Sequence, residues 1–82
     1  MTREEVIDII NKEELSGYNF FEKRYNQEYE VVITQKENRW IVYATDERAS
    51  AVTGSEQNFD KESLALESFI ARLRALNLMK RN

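Results

Sequence analysis

With 82 residues, 41% of them apolar and 33% charged, the chain is sized for one domain with a single modest core, and it excludes both a disordered segment and a run apolar enough to span a bilayer. It contains no cysteine and no histidine, which removes disulfides, thiolates, the commonest general base and the commonest transition-metal ligand, and with them most enzyme classes. The formal charge of −3 is unevenly spread, with thirteen acids and seven bases in residues 1–60 against two acids and five bases in residues 61–82. An acidic body of this kind disfavours nucleic acid and favours a basic partner.

Met1-Thr2-Arg3-Glu4-Glu5 leads straight into an acidic amphipathic segment instead of a basic region followed by an apolar one. A cytoplasmic protein is therefore expected. Thr2 and Glu5 have the spacing of a capping box, and Met1 and Val6 that of a hydrophobic staple, so a first helix is expected from Arg3 to about Glu14. Its apolar stripe is Val6, Ile9 and Ile10, extended by Leu15, and Gly17 supplies the stop.

From Tyr18 the residues favour a strand, with Tyr18, Phe20 and Glu22 on one face and Asn19, Phe21 and Lys23 on the other. The polar run Arg24-Tyr25-Asn26-Gln27 turns the chain, and residues 28–35 read as a second strand whose Tyr29, Val31 and Ile33 face the core. Lys36-Glu37-Asn38 then bends into a third strand over Arg39–Thr45. A two-residue loop pairs Ile33 with Val42 and puts Trp40, Val42 and Ala44 on the core face, whereas a three-residue loop puts Ile41 and Tyr43 there. The first register is expected because it covers the tryptophan.

Residues 49–53 resume a weak alternation before Gly54 and Ser55, and are expected as a fourth, edge strand. Asp60 reads as an N-cap, with Phe59 and Leu64 at staple positions and Glu62 complementing the helix dipole, so a last helix is expected from about Lys61. Leu66, Phe69, Ile70, Leu73 and Leu76 form its apolar face with Ala65 at the margin, and Arg72, Arg74, Lys80 and Arg81 load its C-terminal turns. The order gives a single α+β domain over residues 1–82. A helix, a three- to four-stranded antiparallel meander and a second helix form two layers. The far sheet face carries Val32, Ile41 and Tyr43, a semi-apolar surface on which a partner or a second copy, as a homodimer, could dock.

Asp46-Glu47-Arg48 sits just past a strand end, where functional residues are often presented. A metal or acid role lacks a third ligand, so solvated charge and partner recognition are the competing readings. The basic tail residues stand where helix C-termini favour them. Ala51-Val52-Thr53-Gly54-Ser55 lacks the spacing of a phosphate-cradling loop, and Lys23-Arg24-Tyr25 reads as a solvated strand end. Phe20 and Phe21 cannot share a face of one strand, so at least one aromatic is expected on the open face.

The run from Trp40 to Ser50, followed by Val52-Thr53-Gly54-Ser55 and by Arg72-Leu73-Arg74-Ala75-Leu76-Asn77, resembles a family of small immunity proteins from bacterial polymorphic toxin systems, over roughly residues 28–77. The resemblance implies a cytoplasmic α+β protein that binds a cognate secreted toxin domain and blocks it, with no catalysis required; no cofactor, nucleic acid or membrane is expected as a partner. On that reading Tyr43, Asp46, Glu47 and Arg48 are the expected contact residues, and Glu28 and Glu30 supply steering charge.

Overall fold

The computed structural model describes residues 1–80. Helix α1 (Arg3–Glu13) starts at the expected capping box: Glu5 N–H donates to Thr2 Oγ1 at 3.2 Å, and Thr2 N–H donates to Glu5 Oε1 at 3.0 Å. Val6, Ile10 and the following Leu15 are buried, with Ile9 and Met1 packed against the same core. The helix is closed by Glu14, whose φ of 52° is left-handed and whose N–H donates to the Ile10 carbonyl. Gly17, at φ +80°, makes the next corner. That φ favours glycine, and a Cβ there would also crowd Leu76 Cδ2 at 3.2 Å and the Tyr29 carbonyl at 3.3 Å.

Strands β1 (Tyr18–Phe20), β2 (Val31–Lys36), β3 (Arg39–Ala44) and β4 (Gln57–Phe59) form one sheet in that order. The β2–β3 hairpin turns over Glu37 and Asn38, with Glu37 taking φ 58°, and pairs Ile33 with Val42 and Gln35 with Trp40. This is the register that a two-residue loop demands, and it sets Val42 and the partly buried Trp40 and Ala44 on the core face beside Val31 and Ile33.

Three features of the sheet depart from the sequence reading. β1 runs parallel to β2, so the sheet is mixed instead of a pure meander. Phe21, at φ 60°, ends the strand after three residues, and residues 21–30 carry the chain back before β2 begins; the Phe21 ring meets that of Phe20 at 4.9 Å, and both pack against the core. The alternation expected for residues 18–23 presupposed an uninterrupted strand. Tyr29 also adopts a left-handed φ of 50°, so β2 starts three residues later than expected and Tyr29 is 51% exposed instead of buried. Residues 49–53 contribute a single bridge, Thr45 to Ala51, and the edge strand is β4, with Phe59 opposite Trp40. Phe59 has apolar area to pack against the core, which the small side chains of residues 49–51 lack.

Helix α2 (Glu62–Lys80) begins one residue beyond the expected start, and the Phe59–Leu64 staple does not form, since Leu64 is half exposed while Phe59 packs inward. Its inner face matches the expected periodicity: Ala65, Leu66, Phe69, Ile70 and Leu73 are buried. Phe69 lies at the centre, edge-on to Tyr18 and tilted against Phe20. Full burial of such a side chain contributes about 1.5–3 kcal/mol. Ion pairs from Arg74 to Glu13 and from Arg3 to Glu62 link the two helices at the surface. Of the basic C-terminal residues, Arg81 lies outside the described part.

The far sheet face is less open than its alternation suggests. Val32 is buried, Ile41 and Tyr43 are half-buried, and Tyr43 Oη donates to Asn26 Oδ1 at 2.9 Å, which holds the connection between β1 and β2 against this face. Asn19, also buried there, accepts from Glu22 N–H. A docking surface for a second copy is thereby reduced, with Val32 removed from it.

Candidate partner-binding surface

A parallel β1–β2 pair needs a crossover, and here the ten residues 21–30 supply it without a helix. Their polarity suits a surface path, yet the connection is fastened at its root. Arg24 reaches back to the Tyr18 carbonyl (3.1 Å) and clamps Glu30 at two points, Nη2 to Oε1 at 2.8 Å and Nη1 to Oε2 at 3.1 Å. Gln27 N–H donates to the same carboxylate at 2.7 Å. Burial pushes the Glu30 pKa up, but the Arg24 hydrogen bonds, the Gln27 N–H and the guanidinium charge together leave it below the ordinary carboxylate value.

Thr45 joins this connection to the end of β3. Glu30 N–H donates to Thr45 Oγ1 at 2.8 Å, Thr45 Oγ1 donates to the Gln27 carbonyl at 2.7 Å, and Tyr29 N–H donates to the Asp46 carbonyl at 3.1 Å. Immediately beyond, Asp46 builds a turn with its own carboxylate, which accepts the N–H groups of Arg48 (2.9 Å) and Ser50 (3.0 Å). Those two donors, Ser50 first, hold the Asp46 pKa below its ordinary value. Ala49 takes φ 61° to complete the turn.

Two segments far apart in sequence thus form one ordered ridge that exposes Glu28, Tyr29, Glu47 and Arg48. The sequence-derived candidates separate accordingly. Glu28, Glu47 and Arg48 are exposed on the ridge, and Asp46 shapes its turn. Tyr43 points to the far face, where its hydroxyl donates to Asn26 of the β1–β2 connection. Glu30 is 2% exposed and paired, so it fastens the ridge and is not available as a free steering charge.

Beside the ridge, on the helix side of the sheet, lies a groove of about 330 Å³. Tyr29, Ala44 and Ser55 face α2 across it, and α2 contributes Arg72, Ala75, Leu76 and Met79. These four positions are related by i, i+3, i+4 and i+7, which places them on one helix face. The sequence reading missed this stripe because it treated Arg72 as a helix-terminal charge and stopped the apolar series at Leu76; the spacing of Met79 was the available signal. Among the described residues no group of three His, Cys, Asp or Glu could hold a metal ion, and no helix is long and apolar enough to cross a membrane.

The fold and this surface define a small two-layer α+β protein whose exposed chemistry lies on a fastened ridge and an adjoining groove. The chain belongs to the immunity protein 59 family, whose model matches residues 2–82. That match extends beyond the 28–77 stretch on which the resemblance rests, taking in α1 and β1. No curated protein and no solved structure matches the chain.

Proposed function

We propose that this immunity protein binds a cognate protein toxin and blocks it by occupation, without catalysis, in the cytoplasm of the cell it protects. The observation that carries the reading is the ridge: hydrogen bonds between residues 27–30 and 45–50 hold exposed Glu28, Tyr29, Glu47 and Arg48 in a fixed arrangement, a preorganised surface in a family of immunity proteins. Asp46 and the half-buried Tyr43 extend this contact surface on either side. The acidic side chains suit a toxin with a basic surface, as expected of one that acts on nucleic acid, and would speed its capture.

Co-expression with the toxin domain encoded beside its gene tests the reading. Restored growth together with co-purification of a stable complex is expected. Neither rescue nor complex formation would refute it.

A further inference from the structure

The groove beside the ridge is lined by two charged residues, Arg72 and Glu30, and Glu30 is already paired with Arg24. Two arginines are half-buried among the described residues, Arg24 and Arg72, and their surroundings differ. Arg24 has the Glu30 carboxylate. Arg72 has no carboxylate within ion-pair distance among the described residues; Nη1 donates to the Val42 carbonyl at 3.5 Å, the long limit of a hydrogen bond, and burial pushes the Arg72 pKa down. A partly desolvated guanidinium without a counter-charge is costly, and a partner's carboxylate would offset part of that cost. Around it the walls are apolar and unusually exposed: Met79 is 74% and Tyr29 51% exposed, with Ala44, Ala75 and Leu76 between them. Tyr29 owes its position to a left-handed backbone that its side chain disfavours, and the Asp46 carbonyl holds it there.

We propose that this groove is a docking site for a protein segment carrying a carboxylate beside an apolar side chain, the carboxylate meeting Arg72 and the apolar group lying between Tyr29 and Met79. The partner's identity rests on the toxin-binding reading. A nucleic-acid phosphate fits poorly, because the walls are apolar and Glu28, Asp46 and Glu47 stand on the adjoining ridge. The resulting interface is bipolar: acids on the ridge attract basic groups of the partner, and the groove demands one acid at a fixed distance from them, a pairing that discriminates against surfaces that are merely basic.

The test compares wild-type protein with Arg72→Met, which keeps the apolar stem and removes the charge, by calorimetric titration against the toxin domain encoded beside the gene. Arg72→Met should weaken binding about tenfold or more while leaving the melting temperature unchanged or higher. Intact wild-type binding with less than about a twofold effect of Arg72→Met overturns the groove and leaves the toxin reading standing. If wild-type protein does not bind that toxin, the toxin reading fails, and the groove is judged directly with the blocked peptide acetyl-Leu-Glu-Leu-amide and its Gln counterpart at millimolar concentration. Shifts of the Arg72 Nε–H and Met79 methyl resonances by the Glu peptide alone support the site. Equal shifts, no shifts, or displacement by an oligonucleotide overturn it.

Discussion

Arg24 and Glu30 hold each other through two parallel hydrogen bonds at the root of the β1–β2 connection, with the carboxylate buried and the guanidinium partly exposed. Although burial raises the Glu30 pKa, the Arg24 hydrogen bonds, the Gln27 N–H and the Arg24 charge outweigh it, and the folded pKa lies below the ordinary 4.5. A group whose pKa is depressed by folding contributes stability above its unfolded value, and that contribution is lost as pH falls through the folded value. Stability should therefore decline as pH drops below about 4.5. Glu30→Gln should cost about 2–3 kcal/mol at neutral pH, because it removes one partner of a buried pair. It should also flatten the acid limb. Urea denaturation across a pH series measures both effects.

Asn77 is buried on α2 and joins the α1–β1 corner to the helix. Its Oδ1 accepts from Ser16 N–H at 2.9 Å, while Nδ2 donates to the Ser16 carbonyl at 2.9 Å and to the Leu73 carbonyl at 2.8 Å. Asn77→Ala should destabilise by about 2 kcal/mol through unpaired groups on both sides. Asn77→Asp keeps the acceptor but turns a carboxylate oxygen toward two carbonyls, so it should be worse at neutral pH than at acid pH, where the protonated form restores one donor. Chemical denaturation at the two pH values separates the variants.

Trp40 covers the core from the hairpin, partly buried, yet its Nε1 is buried with no hydrogen-bond partner among the described residues. The ring's area and its polar atom therefore act in opposite directions. Trp40→Ala should cost about 3 kcal/mol through lost packing beside Phe59. Trp40→Phe removes the unsatisfied donor while keeping most apolar area, and should stay within about 1 kcal/mol of wild type. A loss as large as that of the alanine variant would mean that the indole itself is required.

Elements governed by local chemistry were legible in the sequence. The Thr2–Glu5 box located α1, the Leu66–Leu73 periodicity located the inner face of α2, and the two-residue loop fixed Ile33 opposite Val42. What escaped was decided by backbone conformation at residues that do not advertise it. Phe21, Tyr29 and Ala49 all take positive φ without being glycine, and each changes the path: the first ends β1 and permits the parallel pairing, the second lifts an aromatic from the expected core to the groove wall, and the third closes the turn that prevents a strand over residues 49–53. Phe21 and Tyr29 are set by tertiary ties that no local pattern contains, Phe21 N–H to the Ile33 carbonyl and Tyr29 N–H to the Asp46 carbonyl, whereas the Ala49 turn is held locally by Asp46. The candidate surface was similarly half visible. Glu47 and Arg48 lie on an exposed loop as expected, whereas the burial of Glu30 depends on Arg24, a residue read as a solvated strand end.

The ridge acids make the final prediction, because steering and contact leave different kinetic traces. Glu28 and Glu47 are exposed, so reversing both to lysine changes the field met by an approaching toxin without disturbing the fold. Asp46 is unlike them: its carboxylate organises the turn through the Arg48 and Ser50 N–H groups, so Asp46→Asn alters the geometry of the ridge as well as its charge. If Glu28 and Glu47 steer, the double reversal should lower the association rate for a basic toxin by about tenfold at low ionic strength, with little change in dissociation, and the deficit should shrink as salt screens the field. Asp46→Asn should instead raise the dissociation rate at every salt concentration, because a loosened turn presents Arg48 less rigidly. Stopped-flow association and surface-based dissociation measurements across a salt series distinguish the two. A salt-independent rise in dissociation for the double reversal would make Glu28 and Glu47 contacts in the bound state instead of steering charges.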